Sequence, residues 1–168
     1  MFIELEPIFN NIGETISFDF PLNLSECEYN CVFPFKTPVM VKGVVKNTAG
    51  VVELNMETEI VYDGQCDRCA DSIKKEYKYS FEHTLVSSLN NEENDELMLI
   101  EDMHFEIDPL ITEDIFLSLP TKILCSDDCK GLCPQCGTNL NKNSCDCKKE
   151  IDPRLAALRE LLDNWFNL

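Results

Sequence analysis

The sequence predicts an α+β protein: an antiparallel β-barrel- or sandwich-like body over residues 1–120, then a cysteine-rich zinc-knuckle segment and a terminal amphipathic helix over residues 121–168. Three observations point there. Apolar and polar residues alternate with a period of two through most of the first 110 residues, as in half-buried strands. Two stretches, DPLITEDIFLSLP and DPRLAALRELLDNWF, open on Asp-Pro and carry helical spacing. Ten cysteines fall in five close pairs, most of them in a tail with few aliphatic residues.

The strands follow in order. ETISFDFPL (Glu14–Leu22) alternates Ile16, Phe18, Phe20 and Leu22 against Thr15, Ser17 and Asp19. TPVMVKGVVKN (Thr37–Asn47) is rich in valine and ends at a turn-like NTAG, and the next run, VVELNMETEIVY, sets Val52, Leu54, Met56, Thr58, Ile60 and Tyr62 on one face. These two runs predict a hairpin. After a break at DGQC, IKKEYKYSFEHTL directs Ile73, Tyr77, Tyr79, Phe81 and Leu85 inward. Several such strands joined by short turns predict a barrel or sandwich.

Helices come late. Asp108 as a cap, Pro109 in the first turn and Pro120 as a stop predict a short helix near 109–119. Asp152 and Pro153 repeat that grammar for a helix over 153–166, with Leu155, Leu158, Leu162 and Trp165 forming one apolar stripe. That stripe is expected to pack on its own protein, because left uncovered it would favour aggregation.

The charge balance restricts the partners. Fourteen Lys and Arg stand against 31 Asp and Glu, a net charge of −17. Nucleic acid is held chiefly by cations that displace counterions from phosphates, so naked RNA or DNA is not an expected direct partner. No Lys or Arg occurs between Tyr79 and Thr121, where Glu92, Glu93, Asp95, Glu96, Glu101 and Asp102 crowd together. This stretch is a candidate surface for a basic protein, weighed equally against a solvated loop. The apolar runs are too short for a membrane span, and the start carries no secretory pattern, so a cytoplasmic location is expected.

A reducing compartment favours metal over disulfides at these cysteine spacings. In CPQCG, Cys133 and Cys136 flank a tight turn relieved by Gly137, and Cys145 and Cys147 follow within a dozen residues, which makes these four the primary candidate ligands. Cys66 and Cys69 of CDRC and Cys125 and Cys129 supply a possible second site; pairing of Cys125 and Cys129 with Cys133 and Cys136 is the competing partition. One zinc ion or two are therefore expected, with rubredoxin-type iron the less favoured occupant of the same sulfur tetrahedron. Cys27 and Cys31, beside Glu26 and Glu28, read as structural or incidental, and His83 and His104 as ordinary strand residues. Four thiolates leave zinc no open position for substrate, and no nucleophile, phosphate or dinucleotide signature occurs, so the chain reads as non-enzymatic. The alternatives are a metal-dependent redox or electron-transfer protein, built on iron–thiolate or the CDRC pair, and a zinc-ribbon transcription adaptor.

CDRC at 66–69, DPL at 108–110, LCSDDCKGLCPQCGTNLNKNSCDC at 124–147 and DPRLAALREL at 152–161 together resemble the YceD family, the large ribosomal RNA subunit accumulation proteins, from about Gly43 to Leu162. The resemblance implies a cytoplasmic, non-enzymatic factor for accumulation of large-subunit ribosomal RNA, encoded beside a small basic ribosomal protein. Some relatives lack the cysteine block yet keep the DPRLA helix, which implies that metal stabilises one version of the fold. It also implies Cys66, Cys69, Asp152, Pro153, Arg154 and Leu155 as family-defining positions, with the charge of Arg154 least explained by packing and so a candidate partner contact. The expected partner is a basic large-subunit ribosomal protein or a pre-ribosomal particle.

Overall fold

The computed structural model describes residues 1–88, 97–100 and 102–147. Chain contacts divide it into two compact units, one of Met1–Asp67 with Asp71–Cys125, the other of Arg68–Ala70 with the chain from Ser126 on.

The first unit is mostly sheet. Strands β1 (Phe2–Glu4), β2 (Thr15–Leu22), β3 (Val39–Thr48), β4 (Val51–Gln65), β5 (Ser72–Val86), β6 (Leu97–Leu99) and β7 (His104–Glu106) are joined by helices α1 (Glu6–Asn10) and α2 (Asp108–Ser118). Five strands form one sheet in the order β2-β3-β4-β5-β6, and β1 pairs with β7 in a second, two-stranded sheet. Neighbours in the large sheet run antiparallel except β6, which lies parallel to β5. The α+β class with a mostly sheet body holds, but of the barrel- or sandwich-like forms expected for it, a closed barrel is not formed among the described residues: β2 and β6 are edges and do not pair. The alternating pattern specifies one apolar face per strand, and such a face is buried equally well by other elements as by closure. Here α1, α2 and the small sheet cover it, with Ile3, Ile8, Ile107, Ile111 and Ile115 in one cluster with Val41 and Leu54.

The period-two reading holds through β3 and β4. Val39, Val41, Gly43, Val45 and Asn47 are buried in turn on β3, as are Val52, Leu54, Met56, Thr58, Ile60 and Tyr62 on β4. Their hairpin pairs Thr48 with Val51 across Ala49 and Gly50. Both loop residues have positive φ, 54° and 93°, as a two-residue turn matched to the strand twist requires.

The polar Asn47 is 2% exposed within this apolar setting, and its side chain ties together two ends of chain. Nδ2 donates to Ile8 O at 2.8 Å, in the short helix α1, and Oδ1 accepts from Gly50 N at 2.9 Å in the hairpin turn. Asn47→Ala would leave a buried carbonyl and a turn amide short of a partner, and is expected to destabilise the unit by about 2–3 kcal/mol in urea unfolding.

Helix α2 begins one residue before the sequence signal, and Asp108 is its first residue and not its cap. Ile107 occupies the cap position with no side-chain hydrogen bond. The Asp108 carboxylate, placed in the first turn, still meets the partial positive charge of the helix start, and its Oδ2 lies 2.7 Å from the Met1 amino group. Among the described residues no helix is long and apolar enough to cross a membrane. The helix expected over 153–166 lies outside the described residues.

Candidate metal centres

Two groups of four cysteines come together, and no disulfide joins any of the ten. The sulfurs of Cys66, Cys69, Cys125 and Cys129 all lie within 4.8 Å of one another, and so do those of Cys133, Cys136, Cys145 and Cys147. A zinc tetrahedron with Zn–S bonds of about 2.3 Å needs sulfurs about 3.8 Å apart, so no pair in either set exceeds the required spacing by more than about 1 Å. The donor chemistry fits zinc or iron equally, being all thiolate. Of the partitions open to the sequence, the geometry therefore joins Cys125 and Cys129 to CDRC and leaves the CPQCG knuckle with CDC.

Local hydrogen bonds explain why these loops present their sulfurs. In the first unit, Asp67 and Ile123 bind each other twice: Asp67 N donates to Ile123 O at 3.0 Å, and Ile123 N to Asp67 Oδ2 at 2.6 Å. Cys66 N donates to Asp71 O across the turn, and Cys125 N points at Cys66 Sγ at 3.3 Å. An N–H aimed at sulfur stabilises the thiolate over the thiol.

In the second unit, the CPQCG segment is a miniature hairpin. Leu132 bridges Asn139, Cys133 N donates to Thr138 O at 2.8 Å, and Gly137 N donates to Cys133 O at 2.9 Å. Gly137 takes φ +70°, which a side chain would oppose. Gly131 has φ +75°, and a Cβ there would stand 3.0 Å from Arg68 O, the carbonyl that receives Leu132 N. Arg68 Nη1 donates to Cys129 O at 3.1 Å. Asn141 accepts from Lys130 N at 2.7 Å and donates from Nδ2 to Cys129 Sγ at 3.3 Å.

The electrostatics of the knuckle call for a cation. Thr138 Oγ1 lies 3.1 Å from Cys136 Sγ, and hydrogen bonding by Thr138 brings the Cys136 thiol down to about 6. Cys147 is pushed up to about 12, chiefly because its own proton is held in a hydrogen bond to Cys136, with some desolvation by its neighbours adding to the effect. Without a cation the cluster therefore keeps one thiolate readily and resists a second. A divalent ion takes the place of the shared proton and lets all four sulfurs ionise.

Asp67, Arg68, Thr138 and Asn141 do not stand out in the sequence. The signal there is weak, consisting of polar residues in turn-rich stretches beside cysteines. The candidate partner residues Glu92, Glu93, Asp95, Glu96, Glu101 and Arg154 lie outside the described residues. Asp102 is exposed and accepts from His104 N at 3.0 Å, a local turn contact. Cys27 is half-buried at the edge of the core, and Cys31 is exposed in a two-residue turn at φ +63°. His83 Nε2 meets Asp114 Oδ2 at 2.7 Å, and His104 Nδ1 meets Glu4. Neither histidine belongs to a group of potential metal ligands among the described residues.

Comparison with known proteins gives the lineage. No solved structure matches the chain. An uncharacterized protein of Mycobacterium tuberculosis is 31% identical over 103 residues, 59% of this chain and 50% of the relative, so the match spans about half the length of that relative. YlbN of Bacillus subtilis, also uncharacterized, is 29% identical over 157 residues, 89% of each chain. An Arabidopsis thaliana chloroplast protein named large ribosomal RNA subunit accumulation protein YCED homolog 1 is 40% identical over 45 residues, 27% of this chain and 14% of its own. The family profile described as large ribosomal RNA subunit accumulation protein YceD matches residues 54–162, which takes in both cysteine groups, and on that span the chain belongs to the YceD family.

Proposed function

We propose that this protein is a non-enzymatic, cytoplasmic factor in large-subunit ribosome assembly that escorts a basic ribosomal protein, with zinc in both cysteine centres as a structural element. The observation that carries the reading is the net charge of −17 on a member of a family named for ribosomal RNA accumulation. A chain so acidic is repelled by bare phosphate backbone, yet it attracts proteins rich in Lys and Arg and can shield them from misplaced RNA contacts. Four thiolates complete the coordination of zinc, so each centre serves folding and offers no position for a substrate.

The test is affinity capture of the tagged protein from gently lysed cells at low and moderate salt, with ribosomal proteins and precursor RNA quantified. A basic large-subunit protein is expected in the catch at low salt and is expected to decline as salt rises. Recovery of precursor RNA without any basic ribosomal protein would defeat the escort reading.

A further inference from the structure

The two centres differ in how far their sulfurs reach solvent. In one, Cys66, Cys69 and Cys129 are buried, at 3%, 3% and 4% exposure, and Cys125 alone is exposed, with no second exposed sulfur to pair with it. In the other only Cys133 is buried, while Cys136 and Cys147 are exposed. A hollow of about 450 Å³, lined by Lys130, Leu132, Cys133, Leu140, Cys145 and Cys147, opens beside the second set.

We infer that the Cys133/Cys136/Cys145/Cys147 centre is a peroxide-reactive site, at which Cys136 and Cys147 are oxidised to a disulfide with release of the metal, while the other centre is spared. The inference rests on the zinc reading above. Metal-bound thiolates remain nucleophilic in proportion to their access, and small hydroperoxides fit the hollow beside these sulfurs.

The chemistry balances. One exposed thiolate attacks the peroxide: an S–O bond forms, the O–O bond breaks, and the leaving oxygen departs as water after taking a proton. The second exposed thiolate then attacks the sulfenic sulfur, so that an S–S bond forms, the S–O bond breaks, and a second water leaves with another proton. Two thiolates lose two electrons in total, and hydrogen peroxide takes them up. The zinc ion keeps only Cys133 and Cys145, too few to hold it against water and protons, and dissociates as these two sulfurs protonate. The Cys136 and Cys147 sulfurs already lie within 4.8 Å of each other, so their union needs local rotation only.

The experiment titrates the native full-length protein with hydrogen peroxide under anaerobic work-up, follows zinc release with a chromogenic chelator, and maps disulfides by mass spectrometry after alkylation. The untreated protein is expected to hold two zinc ions. The first equivalent of peroxide is expected to release one zinc with a Cys136–Cys147 disulfide, the second zinc leaving at least about tenfold more slowly. Release of both ions at one rate, first loss from the Cys66 group, or a first disulfide elsewhere would overturn the inference while leaving the zinc reading intact. Absence of bound zinc in untreated protein would overturn that reading, and this inference with it.

Discussion

Cys133→Ser, or treatment with a strong metal chelator, is expected to abolish the fold of the CPQCG knuckle in the second unit. Its described residues contribute nothing to the apolar core, which draws every member from residues of the first unit. Leu132 is 42% exposed, and Leu140 is only half-buried. Burial of apolar surface at about 25 cal/mol per Å² cannot offset the entropy of ordering some twenty residues from so little. Zinc bound by four thiolates supplies on the order of 10 kcal/mol, which is large enough to replace that missing core. Hydrogen exchange measures the result directly. The amides of Cys133, Gly137 and Leu140, which donate to Thr138, Cys133 and Gly131 respectively, should exchange at the rate of unstructured chain in the variant. Amides of β3 and β4 should keep their protection, since those strands bury Val41, Val45 and Leu54. Unchanged protection across the knuckle after metal loss would show that the chain alone carries its fold.

Much of this architecture is legible in the amino-acid pattern, and the reasons are local. Strand β4 exposes its period plainly because its inward face is fully covered, so apolar residues are needed at every second position. The β3–β4 turn is legible because Asn and Gly are the residues that tolerate its backbone, even though here Asn47 precedes the loop and Ala49 occupies the first left-handed position. The pairs CPQC and CDC are legible because a tetrahedral thiolate site fixes short spacings. The partition of cysteines into two groups is not legible: it depends on the Asp67–Ile123 contact, across 56 residues of chain. Strands β1 and β7 have three residues each and pair about a hundred residues apart, and α1 has only five residues; none is long enough to display a period. Sheet closure is illegible for a different reason. Alternation says which face is apolar and not what covers it, so the sequence supports barrel and helix-covered sheet alike.

Gly43→Val is expected to be the most damaging single change in the first unit that touches no cysteine, at about 3 kcal/mol, and Gly43→Ala somewhat less. Gly43 sits on the buried face of β3 directly opposite Phe18 of β2, and the Phe18 ring lies over the space where a side chain would begin. A Cβ on Gly43 would stand 2.3 Å from Phe18 Cζ and 2.9 Å from the backbone oxygen of Asn55. Gly43 is absent from the glycines at positive φ, so the constraint is room and not backbone conformation. The ring can move but the Asn55 carbonyl cannot, since β4 is held on both sides by β3 and β5. Two effects thus add: expulsion of Phe18, which is 7% exposed, from its packed position, and a local shift of the β3–β4 register. A double-mutant cycle separates them. Phe18→Ala alone should cost about 3–5 kcal/mol through the cavity it leaves. Combined with Gly43→Ala, the added methyl partly fills that cavity, so the pair should cost less than the sum of the two by about 1–3 kcal/mol in urea unfolding. Strict additivity would place the whole penalty on the Asn55 carbonyl and deny that Phe18 serves as the missing side chain of Gly43.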